Sequence, residues 1–335
     1  MEHRRLGKSG LSVSTLCLGT MTFGDSTGFM KGVTSPDIEA RKVLDRAIDA
    51  GIDFIDTANM YSEGNSERLL GEWLGARRKD LIVATKCRFP MGPSPHDQGL
   101  SRRHIIQACE DSLKRLRTDW IDLYQVHMQD GQVEIEETLR ALDDLIRDGK
   151  IRYSACSNYT GYRLGEAMWV SDKRNLHRFE SVQLQWNLLE RGDEREMIPA
   201  CRAFGLGVLV WSPLARGMLS GKYRRDMQPP TGSRMGEWKD AWKRINNDKT
   251  WALLDGVAAV AKEVGSTPAG VALAWLLHKH EVSSVILGAR DLTQLEDNLK
   301  AATLKLSPTQ MELLDKASTP AWGYPYDFIA YRESW

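Results

Sequence analysis

Eight short apolar runs, each followed by residues with the spacing of an amphipathic helix, constrain this chain more than any other feature. They are Leu16 to Thr20, Phe54-Ile55-Asp56, Leu81 to Lys86, Ile121 to His127, Tyr153 to Ser157, Ser181 to Gln185, Gly207 to Trp211 and Ser284 to Gly288. The segments between them leave no room for hairpin returns, so successive strands run parallel and are joined by helical crossovers. One helix opens at Ser35-Pro36-Asp37, with Ser35 as N-cap and Pro36 at the first helical position, and runs toward Gly51. Others cover Ser66 to Trp73, Ser101 to Arg117, and a stretch carrying Leu139, Leu142, Leu145 and Ile146 that Gly149 stops.

Eight such units close into a (β/α)8 TIM barrel. An open doubly wound sheet competes, but Gly19 to Gly24 lacks the Gly-x-Gly-x-x-Gly spacing that fold needs after its first strand. We therefore expect one barrel domain over residues 1–335. Arg4-Arg5-Leu6 and Leu11-Ser12-Val13 flank a turn and predict a hairpin that plugs or covers something. The connection 214–250, with Pro229-Pro230-Thr231-Gly232, is long and polar and reads as an active-site flap. A last helix spans Ser307 to Ala317. The aromatic, irregular tail 319–335 either packs on the barrel wall or closes over a substrate mouth.

Charge narrows the partner. With 45 Lys+Arg against 45 Asp+Glu there is no net field to gather nucleic acid or an anionic membrane, which favours a small molecule. Cys17, Cys87, Cys109, Cys156 and Cys201 are odd in number and lack metal-site or disulfide spacing. They read as reduced thiols; no metal is expected. No signal peptide and no apolar run of ~20 residues is present, so a cytoplasmic location is expected.

In such a barrel, chemistry sits where strands end. The polar residues there are Asp56, Lys86, His127, Ser157, Asn158, Gln183 and Trp211. Taken singly, each has an ordinary structural explanation: a turn carboxylate, a solvated lysine, a structural histidine. Together they say more. Asp56 and Lys86 end adjacent strands, and charges buried there need pairing. Tyr61 follows Asp56 in the next loop; an ammonium beside its phenol would stabilise the phenolate and make a usable general acid. His127 offers a hydrogen bond to a carbonyl oxygen. Ser157, Asn158 and Gln183 offer amide and hydroxyl groups, Trp211 a flat surface, and Arg290 beside a helix start a seat for phosphate.

Asp53 to Ala58 followed by Tyr61, then Ala84-Thr85-Lys86, then Ile121 to His127, resemble the aldo-keto reductases, and the likeness runs from Arg4 to about Ala302. The resemblance implies NADPH-dependent reduction of an aldehyde or ketone on a (β/α)8 barrel whose N-terminal hairpin covers the bottom. Tyr61 would be the proton donor, Lys86 and Asp56 would lower its pKa, and His127 would orient the carbonyl. Relatives that reduce steroid carbon–carbon double bonds carry Glu at the position of His127, which favours carbonyl reduction. Ser157, Asn158 and Gln183 would hold the carboxamide of NADP(H) and Trp211 would stack on its ring.

Ser212-Pro213-Leu214, Gly217 and Leu219 to Tyr223 resemble the pyrophosphate loop of the branch that includes potassium-channel beta subunits. Lys222 would supply charge there and Arg234 would lie further along the flap. Arg290 would take the 2′-phosphate, and Gln294 and Asn298 the adenosine, with Asp297 where many relatives have Glu. Thr20, Met21, Asp56 and Gly288 complete the expected cofactor set. The alternatives are an NADP(H)-binding regulatory subunit with vestigial catalysis and a non-redox barrel enzyme. Met21, Phe23, Phe29, Met30, Phe89 and Met128 are candidates for an apolar substrate pocket.

Overall fold

The computed structural model describes residues 1–28 and 30–332, so Phe29 lies outside the described residues. Its strands are β1 (His3–Arg5), β2 (Ser12–Ser14), β3 (Leu16–Gly19), β4 (Phe54–Asp56), β5 (Ile82–Cys87), β6 (Ile121–Val126), β7 (Ile151–Ser157), β8 (Phe179–Gln185), β9 (Gly207–Trp211) and β10 (Val282–Leu287). Strands β3 to β10 pair in sequence order and in parallel, and β10 pairs back onto β3 to close a barrel. These are the eight apolar runs of the sequence, with ends moved by at most about two residues.

The alternation of side chains along each strand divides the core in two. Cys17, Phe54, Ala84, Leu123, Ala155, Leu209 and Ile286 point into the barrel and pack with Leu6 and Val13 of the hairpin. Their neighbours Leu18, Ile55, Val83, Val126, Val182, Val210 and Leu287 point outward against the helices. Each such buried aliphatic side chain stabilises the fold by roughly 1.5–3 kcal/mol relative to exposure.

The hairpin β1–β2 closes the N-terminal end. Arg4 donates to the carbonyls of Val282 (2.9 Å) and Leu277 (2.8 Å), and Lys8 N donates to Gly205 O (2.9 Å). Gly7, at φ +61°, touches the start of β9 so closely that a Cβ there would lie 2.5 Å from Gly207 N. That contact admits only glycine.

Three local expectations are corrected. The first barrel helix is Asp37–Asp49, so Pro36, not Ser35, stands at the N-cap position, and no side chain caps it. The Ser35 hydroxyl instead donates to Arg290 O (3.1 Å), tying this loop to the one after β10. The tail is not irregular throughout, since Tyr326–Arg332 is helical and Asp327 accepts from Gly323 N (2.9 Å) at its start. Arg195 and Glu196 hold it through Ala321 O (3.0 Å) and the Tyr326 hydroxyl (2.6 Å). Phe23 and Met30 are wholly buried and belong to the core; Phe23 meets Trp73 at 6.1 Å.

Within 214–250 a 3-10 turn (Ala215–Ser220) precedes the short helices Arg234–Glu237 and Lys239–Ile245. Tyr223, Trp242 and Trp251 form a small aromatic cluster with ring separations of 5.8 and 6.2 Å. All five cysteines are free and buried, and burial raises their thiols, Cys87 and Cys201 to about 12. No helix among the described residues is long and apolar enough to cross a membrane.

Candidate active site

Two residues beyond the inward apolar layer, the same alternation turns polar. It places Asp56, Lys86, Gln125, Ser157 and Trp211 above Phe54, Ala84, Leu123, Ala155 and Leu209. Gln183 joins them from β8. Lys86 and Gln125 are completely buried, and Asp56 and Gln183 nearly so, which demands that their polar atoms be paired.

They are paired with one another. Lys86 Nζ donates to Asp56 Oδ2 (2.5 Å), Thr57 O (2.8 Å) and the Tyr61 hydroxyl (3.4 Å), using all three ammonium protons. Asp56 Oδ1 accepts from Gln125 Nε2 (2.9 Å) and Gln183 Nε2 (2.8 Å). Tyr61 is aimed by the turn that follows it, where Ser62, Glu63 and Gly64 all have positive φ. The Ser62 hydroxyl pins that turn to the carbonyls of Phe23 (2.9 Å) and Gly24 (3.0 Å).

The electrostatics differ from expectation in one respect. Burial dominates and raises the Tyr61 phenol; Lys86 pulls it down, but Asp56 pushes it up again, and the net direction is upward. Asp56 therefore opposes rather than aids the lowering. What it does is compensate the ammonium: burial disfavours the charge on Lys86, yet Asp56 and Tyr61 outweigh that and hold it protonated. Tyr61 thus rests fully protonated, with a permanent cation poised to receive its phenolate.

His127 meets Tyr61 edge-on at 5.9 Å between ring centroids and Phe89 at 4.8 Å. Burial, then Lys86 and Arg88, hold its pKa well below the usual histidine value, so the ring is neutral near pH 7. Its Nδ1 is buried without a partner; a proton there would have no acceptor, which favours the Nε2–H tautomer. A neutral donor thereby stands edge-on to the tyrosine ring.

Asn158, at φ 52°, spends its amide nitrogen on His127 O (2.8 Å) and Ser157 Oγ (3.0 Å), and the nitrogen of Gln183 is held by Asp56, leaving their amide oxygens. Trp211 is half-buried with an indole N–H that has no partner. Thr20 is engaged by β4 and Ser66, through Asp56 O (3.3 Å) and Ser66 Oγ (2.8 Å), while Met21 is half-buried.

After β9 the backbone passes through Ser212, Ala215, Arg216 and Gly217 at positive φ, and Pro213 and Leu214 lie within this bend. A Cβ on Gly217 would fall 2.8 Å from Lys222 Nζ, so glycine here makes room for the ammonium. Arg234 approaches Gly288, whose added Cβ would meet Arg234 Nη2 at 3.9 Å. Arg290 Nη1 donates to Gly232 O (2.8 Å).

Burial lowers the pKa of both Lys222 and Arg234, and Arg290 adds to the effect in each. Among the described residues no carboxylate pairs with Lys222, Arg234 or Arg290. Three converging cations over a glycine-lined bend are a site with the chemistry of an oligophosphate. Gln294 is tied to Asp291 at the start of the Leu292–Leu299 helix, Asn298 is buried, and Asp297 accepts from Thr267 Oγ1 (2.9 Å). Asp297 is thus engaged in holding two helices together.

Gln125 escaped the sequence reading, although it stands two residues before His127 on one strand and so had to share its face. Asn59, wholly buried with both side-chain polar atoms unpartnered, also escaped it, while Arg88 heads the segment 88–98 on which the substrate was expected to depend, without a role of its own. Asp193 lies with Glu190 in a cavity of about 210 Å³ beside Trp211; burial and then Glu190 raise its carboxyl to about 6. No group of three or more metal-ligating side chains occurs among the described residues.

The model of the Aldo/keto reductase family matches residues 15–319. An uncharacterized oxidoreductase of Bacillus subtilis, YrpG, is 37% identical over 326 residues, covering 94% of this chain and 95% of its own. A putative aryl-alcohol dehydrogenase of Schizosaccharomyces pombe is 36% identical over 344 residues, with 94% and 95% covered. A probable voltage-gated potassium channel subunit beta of Arabidopsis thaliana is 35% identical over 325 residues, with 94% and 96% covered.

Proposed function

Because the chain belongs to the aldo/keto reductase family, whose members generally bind NAD(P)H, we propose that it reduces an aldehyde or ketone to the alcohol, reversibly, with NADPH. The observation that carries this reading is the buried Lys86 ammonium bonded at once to Asp56 and the Tyr61 hydroxyl. When bound, the nicotinamide supplies the hydride that the carbonyl carbon receives.

The chain's own residues do the rest. His127, neutral, donates a hydrogen bond to the carbonyl oxygen and draws charge toward it. Tyr61 gives its proton to that oxygen, and Lys86 stabilises the phenolate until solvent restores the proton. Gln125 and Gln183 hold Asp56, so the ion pair neither drifts nor collapses onto Tyr61. Ser157, Asn158 and Gln183 would hold the carboxamide and Trp211 the ring face. Lys222 and Arg234 would neutralise the pyrophosphate, and Arg290 would read the 2′-phosphate, with Gln294 and Asn298 toward the adenosine.

A panel of aryl and alkyl aldehydes with NADPH tests this, by following the loss of reduced-nicotinamide absorbance. Repeated turnover is expected. Tight NADPH binding with a single turnover would instead support the reading that the channel-subunit relatives suggest. Absence of NADPH binding would sink both.

A further inference from the structure

Arg88 is a charged residue beside His127 for which the reaction above has no use. It follows β5 immediately, and His127 N donates to the neighbouring Cys87 O (3.0 Å), so Arg88 stands beside the histidine. Its backbone takes φ 144°, a region that side chains other than glycine's rarely enter, and Gly99 N donates to its carbonyl (2.8 Å) to hold it there. The guanidinium carbon lies 5.4 Å over the Phe89 ring, and that ring packs on His127.

No hydrogen-bond or carboxylate partner for this guanidinium occurs among the described residues, and its Nε is buried without one. Arg78, Arg115 and Arg191, which are also buried or half-buried, each reach a carboxylate, Asp122, Glu67 and Glu194 respectively, as Arg88 does not. Strained backbone that delivers an unpaired planar cation next to the carbonyl-binding histidine has one chemical complement, a planar anion.

We propose that Arg88 is a specificity residue that binds a carboxylate carried by the substrate, so the protein prefers aldehydes or ketones bearing a carboxylate a few atoms from the carbonyl. This rests on the reductase reading. Phe89, between the guanidinium and His127, supplies an apolar edge along which the carbon skeleton joining the two groups can lie.

The test compares 4-formylbenzoate with its methyl ester, which keeps the ring and aldehyde and removes the charge. For Arg88→Met, kcat/KM with 4-formylbenzoate should fall about ten- to hundredfold more than with the ester, mostly in KM, and Arg88→Lys should restore part of the difference. NADPH affinity should be the same in all three proteins. Equal losses on both substrates, or a displaced acid limb in the pH profile, would assign Arg88 to His127 instead and overturn the proposal. Weakened NADPH binding would assign it to the cofactor, with the same result.

Terephthalate binding, measured by calorimetry on the NADP⁺-loaded protein, separates this from the reductase reading. If wild type reduces neither aldehyde, the reductase reading fails. Binding of terephthalate that is lost in Arg88→Met would then still uphold the anion subsite, and absence of binding would dismiss it.

Discussion

The barrel floor and the cation rim are built on opposite principles. In the floor every charge has its counter-charge: Lys86 is matched by Asp56, and Asp56 by two glutamines, all buried and bonded without any ligand. On the rim, Arg290 disfavours the charges of Lys222 and Arg234, and among the described residues no carboxylate pairs with any of the three. The difference teaches where each gets its order. The floor is fixed by strand alternation and by the cost of leaving a buried charge unpaired. The rim is electrostatically incomplete and is finished by whatever anion arrives.

The most damaging way to break this contrast is Lys86→Met. It leaves Asp56 buried without a cation, so the protein should lose about 3–5 kcal/mol of stability in denaturant titration together with its activity. Tyr61→Phe should be milder for the fold and nearly as severe for chemistry: kcat falls about 10²–10⁴-fold while NADPH affinity is retained. A near-wild-type kcat would remove Tyr61 from the acid role. Arg290→Ala should raise the Kd for NADPH about ten- to hundredfold and hardly alter that for NADH. Equal losses would place 2′-phosphate recognition elsewhere, with Arg234 the first alternative.

Arg234→Met sharpens the comparison from the other side. Removing one of three like charges should leave the melting temperature of the free protein unchanged or raised, while diminishing the rise that NADPH produces. A floor-like loss of stability would show that the rim is not strained at all. The smallest effect is in pH dependence. His127 titrates well below its ordinary value of about 6.5 and Tyr61 above about 10. The profile of kcat/KM should therefore show no inflection from either group between those limits. Stability should decline as pH falls below about 6.5, because the unfolded histidine takes a proton that the folded one refuses.

What sequence could reveal follows the same division. Strand-borne features were legible: eight apolar runs became eight barrel strands, and Asp56, Lys86 and His127 emerged because they stand at the ends of successive strands. Gln125 was missed because His127, two residues further on, was taken as the polar end of that strand.

Interactions decided by packing were not legible. The upward direction of the Tyr61 pKa depends on how completely burial outweighs Lys86, and composition does not contain that balance. Ser35 and Asp297 both found tertiary partners, Arg290 O and Thr267, that no local pattern announces. The helix Tyr326–Arg332 exists in a segment whose aromatic residues alone suggested irregularity; Asp327 accepting from Gly323 N is what starts it.

The buried cysteines carry a last consequence. A thiol attacks an electrophile as its thiolate, and here all five are shielded from solvent and held protonated by burial. Thiols so placed are withheld from electrophiles that reach the protein surface. The native protein should resist iodoacetamide and become labelled only on unfolding, which makes chemical durability, as much as rate, a property of this barrel.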